Sequence, residues 1–219
     1  KVRDLADLLA PVVVLSTPAG GSVLQAPVTV TGDVLDTNLD TWSLDFAPLG
    51  SESFRSLASG RGTGSALALY ALDPARWENG AYVLRLQATD MAGRSATVTL
   101  QIEVYTALKA GNHVRTETDL SAVLYGVAVQ VVRRYDSLAA DRDGAFGYGW
   151  QWLEGEPVFA ANLAATGYEE YGLFNAYRPG TRVYANLPDG RRAAFTFDPL
   201  LVTVNGVSWF VPRWTPEAG

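Results

Sequence analysis

From Thr97 to Val104 the chain alternates without a break. Val98, Leu100, Ile102 and Val104 are apolar, while Thr97, Thr99, Gln101 and Glu103 are polar. Only an extended strand puts two such sets on opposite faces. One face then packs on a core while the other stays wet. The same period of two recurs upstream. Tyr82, Leu84, Leu86 and Ala88 alternate with Val83, Arg85, Gln87 and Thr89. Trp42, Leu44 and Phe46 alternate with Ser43 and Asp45, and Val28 and Val30 with Thr29 and Thr31. Val12 to Leu15 is a further short strand-like run. Turn residues separate these runs at Thr17-Pro18-Ala19-Gly20-Gly21, Asn79-Gly80 and Asp90 to Gly93. Strands at this spacing predict an all-β protein whose residues 11–106 form a β-sandwich. Ahead of it, Leu5, Leu8 and Leu9 stand at helical spacing and Pro11 stops the pattern, so 1–10 reads as a short helical or irregular lead-in.

Residues 107–112 read as a linker, and 113–219 as a second set of strands. Val114 to Asp119 and Val123 to Tyr135 are expected as two strands, the latter alternating through Val127, Val129 and Val131. It runs into Arg134-Tyr135-Asp136-Ser137, a connection of small and polar residues, and then Phe146-Gly147-Tyr148-Gly149-Trp150. Glycines interleaved with aromatics point to close backbone approach or a sharp bend. Two hairpins follow. Val183 to Leu187 and Arg192 to Phe197 flank Pro188-Asp189-Gly190, where proline pre-sets one turn position and glycine accepts a positive φ. Leu201 to Val204 and Val207 to Val211 flank Asn205-Gly206, the strongest short hairpin motif. Gln151 to Ala165 fits neither period, and Pro157 argues against a helix there.

Composition narrows function. The net charge is −6, and the longest basic clusters are the pairs Arg133-Arg134 and Arg191-Arg192. A nucleic-acid footprint needs a basic stripe, so no nucleic-acid partner is expected. No apolar run approaches the ~18 residues of a membrane span, so no membrane insertion by this segment is expected. Cysteine is absent, which removes disulfides and thiolate chemistry. Charged residues make up 18 %, below the ~25 % of ordinary soluble domains, as when part of a surface is covered by something else. The sequence begins at Lys1 and closes on the turn-like Trp214 to Gly219, which leads us to expect a piece of a longer polypeptide.

Few residues are candidates for chemistry. His113 is the only histidine, and nothing beside it resembles a nucleophile elbow. Asp141 and Asp143, and Glu154 and Glu156, are the carboxylate pairs that a glycosidase reading would use. At i, i+2 on a loop they read as solvated surface, with Asp141-Arg142-Asp143 a polar turn. Asp33, Asp36, Asn38 and Asp40 could offer oxygens to calcium, but without the spacing of a known calcium loop they read as a polar loop. Phe146, Tyr148, Trp150, Trp152, Tyr168, Tyr171, Phe174 and Tyr177 could stack on sugars or pack across strands. On a strand, Arg134 and Asp136 share one face and Tyr135 takes the other. No catalysis, cofactor or metal is expected.

Arg134 to Ser137 followed by Phe146 to Trp150, together with Leu187 to Phe197, resembles the opening segment of the shell in Rhs/YD-repeat proteins, the bacterial polymorphic-toxin and Tc-toxin-like group. Ser16 to Gly20, Gly32-Asp33-Val34, and above all Leu72-Asp73-Pro74, Asn79 to Tyr82, Ala88 to Asp90 and Gly93 resemble bacterial Ig-like or fibronectin-III-like modules. The resemblance implies a secreted or cell-surface bacterial protein with an Ig-like sandwich followed by the first antiparallel strands and hairpins of a hollow β-shell. It assigns Arg134, Tyr135, Asp136, Phe146, Gly147, Tyr148, Gly149, Trp150, Pro188, Asp189 and Gly190 structural roles. It implies a non-catalytic segment that helps build or cap a cocoon around a C-terminal effector used in competition. The implied partners are the downstream shell of the same polypeptide, its enclosed effector, and delivery-apparatus proteins. The family's repeat, a Gly … Tyr-x-Tyr-Asp … Gly-Arg-Leu unit, does not recur; Tyr135-Asp136 is a single instance, which places the repeats downstream. The alternative expectation is a secreted or surface module that binds a carbohydrate or a receptor.

Overall fold

The computed structural model describes residues 4–107, 109–153, 159–187 and 191–217. Glu154 and Glu156, and the Pro188-Asp189-Gly190 turn, lie outside the described residues. The fold is all-β, and among the described residues helical content is confined to single 3-10 turns. None of the described helices is long and apolar enough to cross a membrane. The chain divides into two compact units.

The first unit holds Lys1–Pro74, Ala81–Val104 and Ala164–Phe174. Its strands are β1 (Val12–Thr17), β2 (Val23–Leu24), β3 (Val28–Leu35), β4 (Leu39–Pro48), β5 (Arg55–Gly60), β6 (Gly64–Leu72), β7 (Gly80–Asp90) and β8 (Ser95–Val104). They form two sheets, ordered β1-β3-β6 and β2-β8-β7-β4-β5. The alternation explains the assembly. Leu84 and Leu86 on β7, Leu44 on β4, Ile102 and Val104 on β8, and Val30 and Val34 on β3 are all fully buried. Their polar neighbours Arg85 and Gln87 are half-buried. This is a sandwich-like pair of sheets closing over one aliphatic core.

The lead-in does not form a helix over the described residues 4–10; Leu5 and Ala6 form only a turn. Leu8 is 80 % exposed, so its spacing has no apolar face to serve. Hydrogen bonding sets this segment instead. Asn38 Oδ1 accepts from the Asp4 N–H, and Asn38 Nδ2 donates to Asp4 O and Asp7 Oδ2.

The second unit holds Ala75–Gly80, Tyr105–Leu163 and Asn175–Gly219. It therefore takes in 75–80 from within the span expected for the sandwich, while 164–174 groups with the first unit. Its strands are β9 (Val114–Leu124), β10 (Val127–Asp136), β11 (Asp143–Gly144), β12 (Gly147–Tyr148), β13 (Trp150–Trp152), β14 (Phe159–Ala161), β15 (Arg182–Asn186), β16 (Arg192–Phe197), β17 (Leu200–Val204), β18 (Val207–Val211) and β19 (Trp214–Pro216). The sheets are β13-β10-β9, β14-β15-β16-β19 and the two-stranded β11-β12 and β17-β18. All of these pairings are antiparallel.

The first hairpin differs from expectation at both inner strand ends, with β10 starting at Val127 and not at Val123. β9 runs on to Leu124 instead of stopping at Asp119, and the turn falls at Tyr125-Gly126. Both turn residues have positive φ, 51° and 82°. That conformation joins two twisted strands in a two-residue hairpin, and the polar run Thr116 to Asp119 concealed it. A bulge between Val131 and Val132 accommodates the extra residue Asp119. Asn205-Gly206 forms the other two-residue hairpin turn, with φ of 52° and 77°.

Candidate functional site

The two faces of β10 separate the opening motif's residues. Tyr135 pairs with Trp150, and Arg133 with Trp152, across β13. These four residues share the face that carries Val127, Val129 and Val131. On it the Tyr135 ring lies 5.5 Å from Trp150 and 6.2 Å from His113, and the Arg133 guanidinium sits 4.8 Å over the Trp150 ring. Trp150 is thus already occupied by a tyrosine and a cation. Gly149 lets this happen. It adopts φ +74°, and a Cβ there would fall 2.7 Å from the Tyr135 ring. Its amide donates to Arg142 O and its carbonyl accepts from the Asp136 N–H, which ties the glycine-aromatic loop back to β10. Phe146 and Tyr148 point outward and are exposed.

Arg134 and Asp136, with Gln151 of β13, take the opposite face and line a cavity of about 330 Å³ within the second unit. Its described lining also includes Glu78, Asn79, Lys109, Asn112, Asn186, Arg191, Arg192 and Glu217. A chain of hydrogen bonds runs through this lining. Asn186 Nδ2 donates to Gln151 Oε1, and Arg192 donates to Asn186 Oδ1 and, through Nε, to the Asn79 carbonyl. Asn79 Nδ2 donates to Thr106 O and Arg192 O, and its Oδ1 accepts from the Thr106 N–H. The carboxylates are engaged as well. Glu78 accepts from Arg142, Glu217 from Arg182 and Thr196, and Asp136 from the Leu138 N–H while it lies 3.6 Å from Arg134. Sequence reasoning found Arg134 and Asp136 but missed Asn79, Asn186 and Glu217. Asn79 is visible in the sequence as a turn residue, and Arg191-Arg192 as a basic pair at the second strand of a hairpin.

The other candidates disperse. Asp33 accepts from the Ala66 N–H and Asp40 pairs with Arg61, so neither joins Asp36. Asp36 instead meets Asp7 and Asp90, with ligand atoms within 4.8 Å of one another. Arg94 serves this group: its guanidinium contacts Asp90 at 2.6 Å and Asp7 at 3.7 Å. A side-chain cation therefore already supplies positive charge there. Burial works to raise the Asp90 carboxyl, but hydrogen bonds from the Arg94 amide and guanidinium and from the Ala92 amide outweigh it and hold it below its ordinary value. The sign follows. This stabilisation is complete above the unfolded value of about 3.9 and disappears as the pH falls through the lower folded value. The urea midpoint is expected to drop from pH 5 to pH 3, and Asp90→Asn is expected to flatten that decline. An unchanged slope in the variant would show that other carboxylates dominate.

Asp141 is an exposed turn residue, and Asp143 is exposed at the start of β11, opposite Tyr148. Of the aromatics, Tyr168, Tyr171 and Phe174 are exposed in the first unit, around the 3-10 turn Glu169–Tyr171, whose first residue Glu169 turns its carboxylate back to Thr166 and Gly167. The Thr166 amide at 2.5 Å and its hydroxyl at 2.9 Å hold that carboxyl below its ordinary value. Tyr177 joins Phe197 and Trp214 in the second unit, meeting Trp214 edge-on at 84°. That geometry closes the rings on each other and lays down no flat platform.

No family model and no curated protein matches the sequence. Among solved structures, the endo-beta-1,4-mannanase from Thermotoga petrophila is similar at a TM-score of 0.36 and 15 % identity, over 46 % of this chain and 21 % of that chain. A likeness at that level carries no argument about fold or activity.

Proposed function

We propose that this chain is a non-catalytic wall segment of an Rhs/YD-repeat protein, secreted or displayed at a bacterial surface. Its second unit contributes opening strands to a hollow β-shell that encloses an effector of the same polypeptide. The observation that carries this reading is a pair of hairpins, each with a run of three apolar cross-strand pairs turned outward. In β9–β10 the cross-strand pairs Leu120–Val131, Ala122–Val129 and Leu124–Val127 share a face. In β17–β18 the pairs Leu200–Val211, Val202–Trp209 and Val204–Val207 do the same. Val127 is 64 % exposed and Val207 65 %. A two-stranded hairpin is marginal in water by itself, and an apolar face beside a free strand edge invites further strands. Each half-exposed side chain covered would contribute about 1 kcal/mol. Added layers of a shell wall would satisfy both needs at once.

The test uses the chain alone. At concentrations on the order of tens of micromolar it is expected to associate in sedimentation and to enhance the fluorescence of a hydrophobic dye such as ANS. Changing Val207, Trp209 and Val211 together to threonine should suppress both while the fold survives. A monomer without dye binding would overturn the reading.

A further inference from the structure

We propose that the loop 166–174 of the first unit docks a polypeptide segment that carries a lysine or arginine beside an apolar side chain. Three observations lead there. First, the loop presents Tyr168, Tyr171, Leu173 and Phe174, each more than half exposed. Apolar side chains scattered singly on a surface need no account, but four so close together mark an interaction site. Second, the loop is held in shape by its own hydrogen bonds. The Glu169 carboxylate accepts from the Thr166 amide at 2.5 Å and from the Gly167 amide at 3.1 Å. The Thr166 hydroxyl accepts from the Tyr168 N–H and lies 2.7 Å from the Leu173 carbonyl. Gly172 turns the chain at φ 76°, and its amide donates to Glu169 O. A surface fixed in advance loses little entropy when a partner arrives, and tyrosine has few rotamers to freeze.

Third, charge identifies the partner. Glu170, between the two tyrosines, is exposed and has no ion-pair partner among the described residues. The sequence holds no lysine or arginine from 143 to 177, and the net charge of the chain is −6. Ring faces attract a cation through their quadrupole, and a carboxylate attracts it through its charge. Both point to the same cationic group, with Leu173 and Phe174 left for an apolar neighbour. An anionic lipid surface would be repelled by Glu170, and a neutral glycan would use the rings and leave the carboxylate's charge unanswered. The proposal uses neither outward hairpin and does not depend on the shell reading.

The experiment is an NMR titration of the intact chain with acetyl-Lys-Leu-Arg-Leu-Lys-amide at low ionic strength. The acidic peptide acetyl-Glu-Leu-Gln-Leu-Glu-amide and cellohexaose are the comparisons. Saturable binding of the basic peptide is expected, with the acidic peptide weaker by about tenfold or more. Tyr171→Ser and Glu170→Gln alter exposed side chains, so the fold survives, and each should weaken the basic peptide by about threefold. Glu52→Gln removes an exposed negative charge from the loop between β4 and β5, and it should leave the affinity unchanged. Absence of saturable binding, equal affinity for the acidic peptide, indifference to Tyr171→Ser, equal losses at Glu52 and Glu170, or tighter binding of cellohexaose would overturn the proposal.

Discussion

Gly149→Ala is expected to destabilise the second unit by about 2–4 kcal/mol, with two causes that can be measured apart. The residue sits at φ +74°, where any Cβ adds strain of ~1 kcal/mol or more. The new methyl would also meet the Tyr135 ring edge at 2.7 Å and 3.1 Å and the Ala140 Cα at 3.2 Å, and the backbone at Ala140 cannot retreat as a flexible side chain would. Gly147→Ala is the control. Its φ is +96°, but nothing lies within 4 Å of the added carbon, so only the backbone strain should appear, roughly 1 kcal/mol. Urea unfolding of both variants checks the difference. A double-mutant cycle with Tyr135→Ala should recover the clash with the ring and leave the strain and the contact with Ala140. Equal effects at the two glycines would mean that the ring is not held over Gly149.

Asn79→Ala is expected to cost about 3 kcal/mol. The side chain is 6 % exposed and makes three hydrogen bonds: to the Thr106 N–H, to Thr106 O and to Arg192 O. Truncation removes all three bonds, two of them to the Thr106 backbone in a part-buried place, which is more costly than the loss of a surface contact. Asn79→Asp retains the acceptor for the Thr106 N–H and loses both donors, so it should fall between alanine and the parent. Denaturant midpoints order the three chains, and an aspartate variant as stable as the parent would show that the two donor bonds contribute nothing.

Much of the fold was legible in the residues. Strict alternation in β7 and β8 could be satisfied only by strands with one buried face, and Leu84, Leu86, Ile102 and Val104 duly occupy the core. Asn205-Gly206 announced a hairpin because few dipeptides tolerate two positive φ values in succession. Tyr125-Gly126 does the same work but was hidden, since tyrosine rarely adopts that conformation and the polar run before it looked like a break. Of the two readings open for the lead-in, helical or irregular, the described residues 4–10 take the irregular one, because a helical period has meaning only where a surface waits to receive it.

The candidate site was legible in part. That Arg134 and Asp136 share a face follows from the period of a strand alone. The grouping of glycines and aromatics pointed to a close approach, but not to which ring approached which glycine. That Asn79, Asn186 and Glu217 meet could not have been found, because they are more than thirty residues apart along the chain and nothing local marks them as neighbours. Local stereochemistry determined the elements: side-chain alternation, turn conformations and the exclusion of helix. Tertiary structure alone decided the cavity, the Asp7–Asp36–Asp90 group with its Arg94, and the outward apolar faces of the two hairpins. Those depend on which distant segments share a neighbourhood, and long-range packing settles that where no nearest-neighbour preference can.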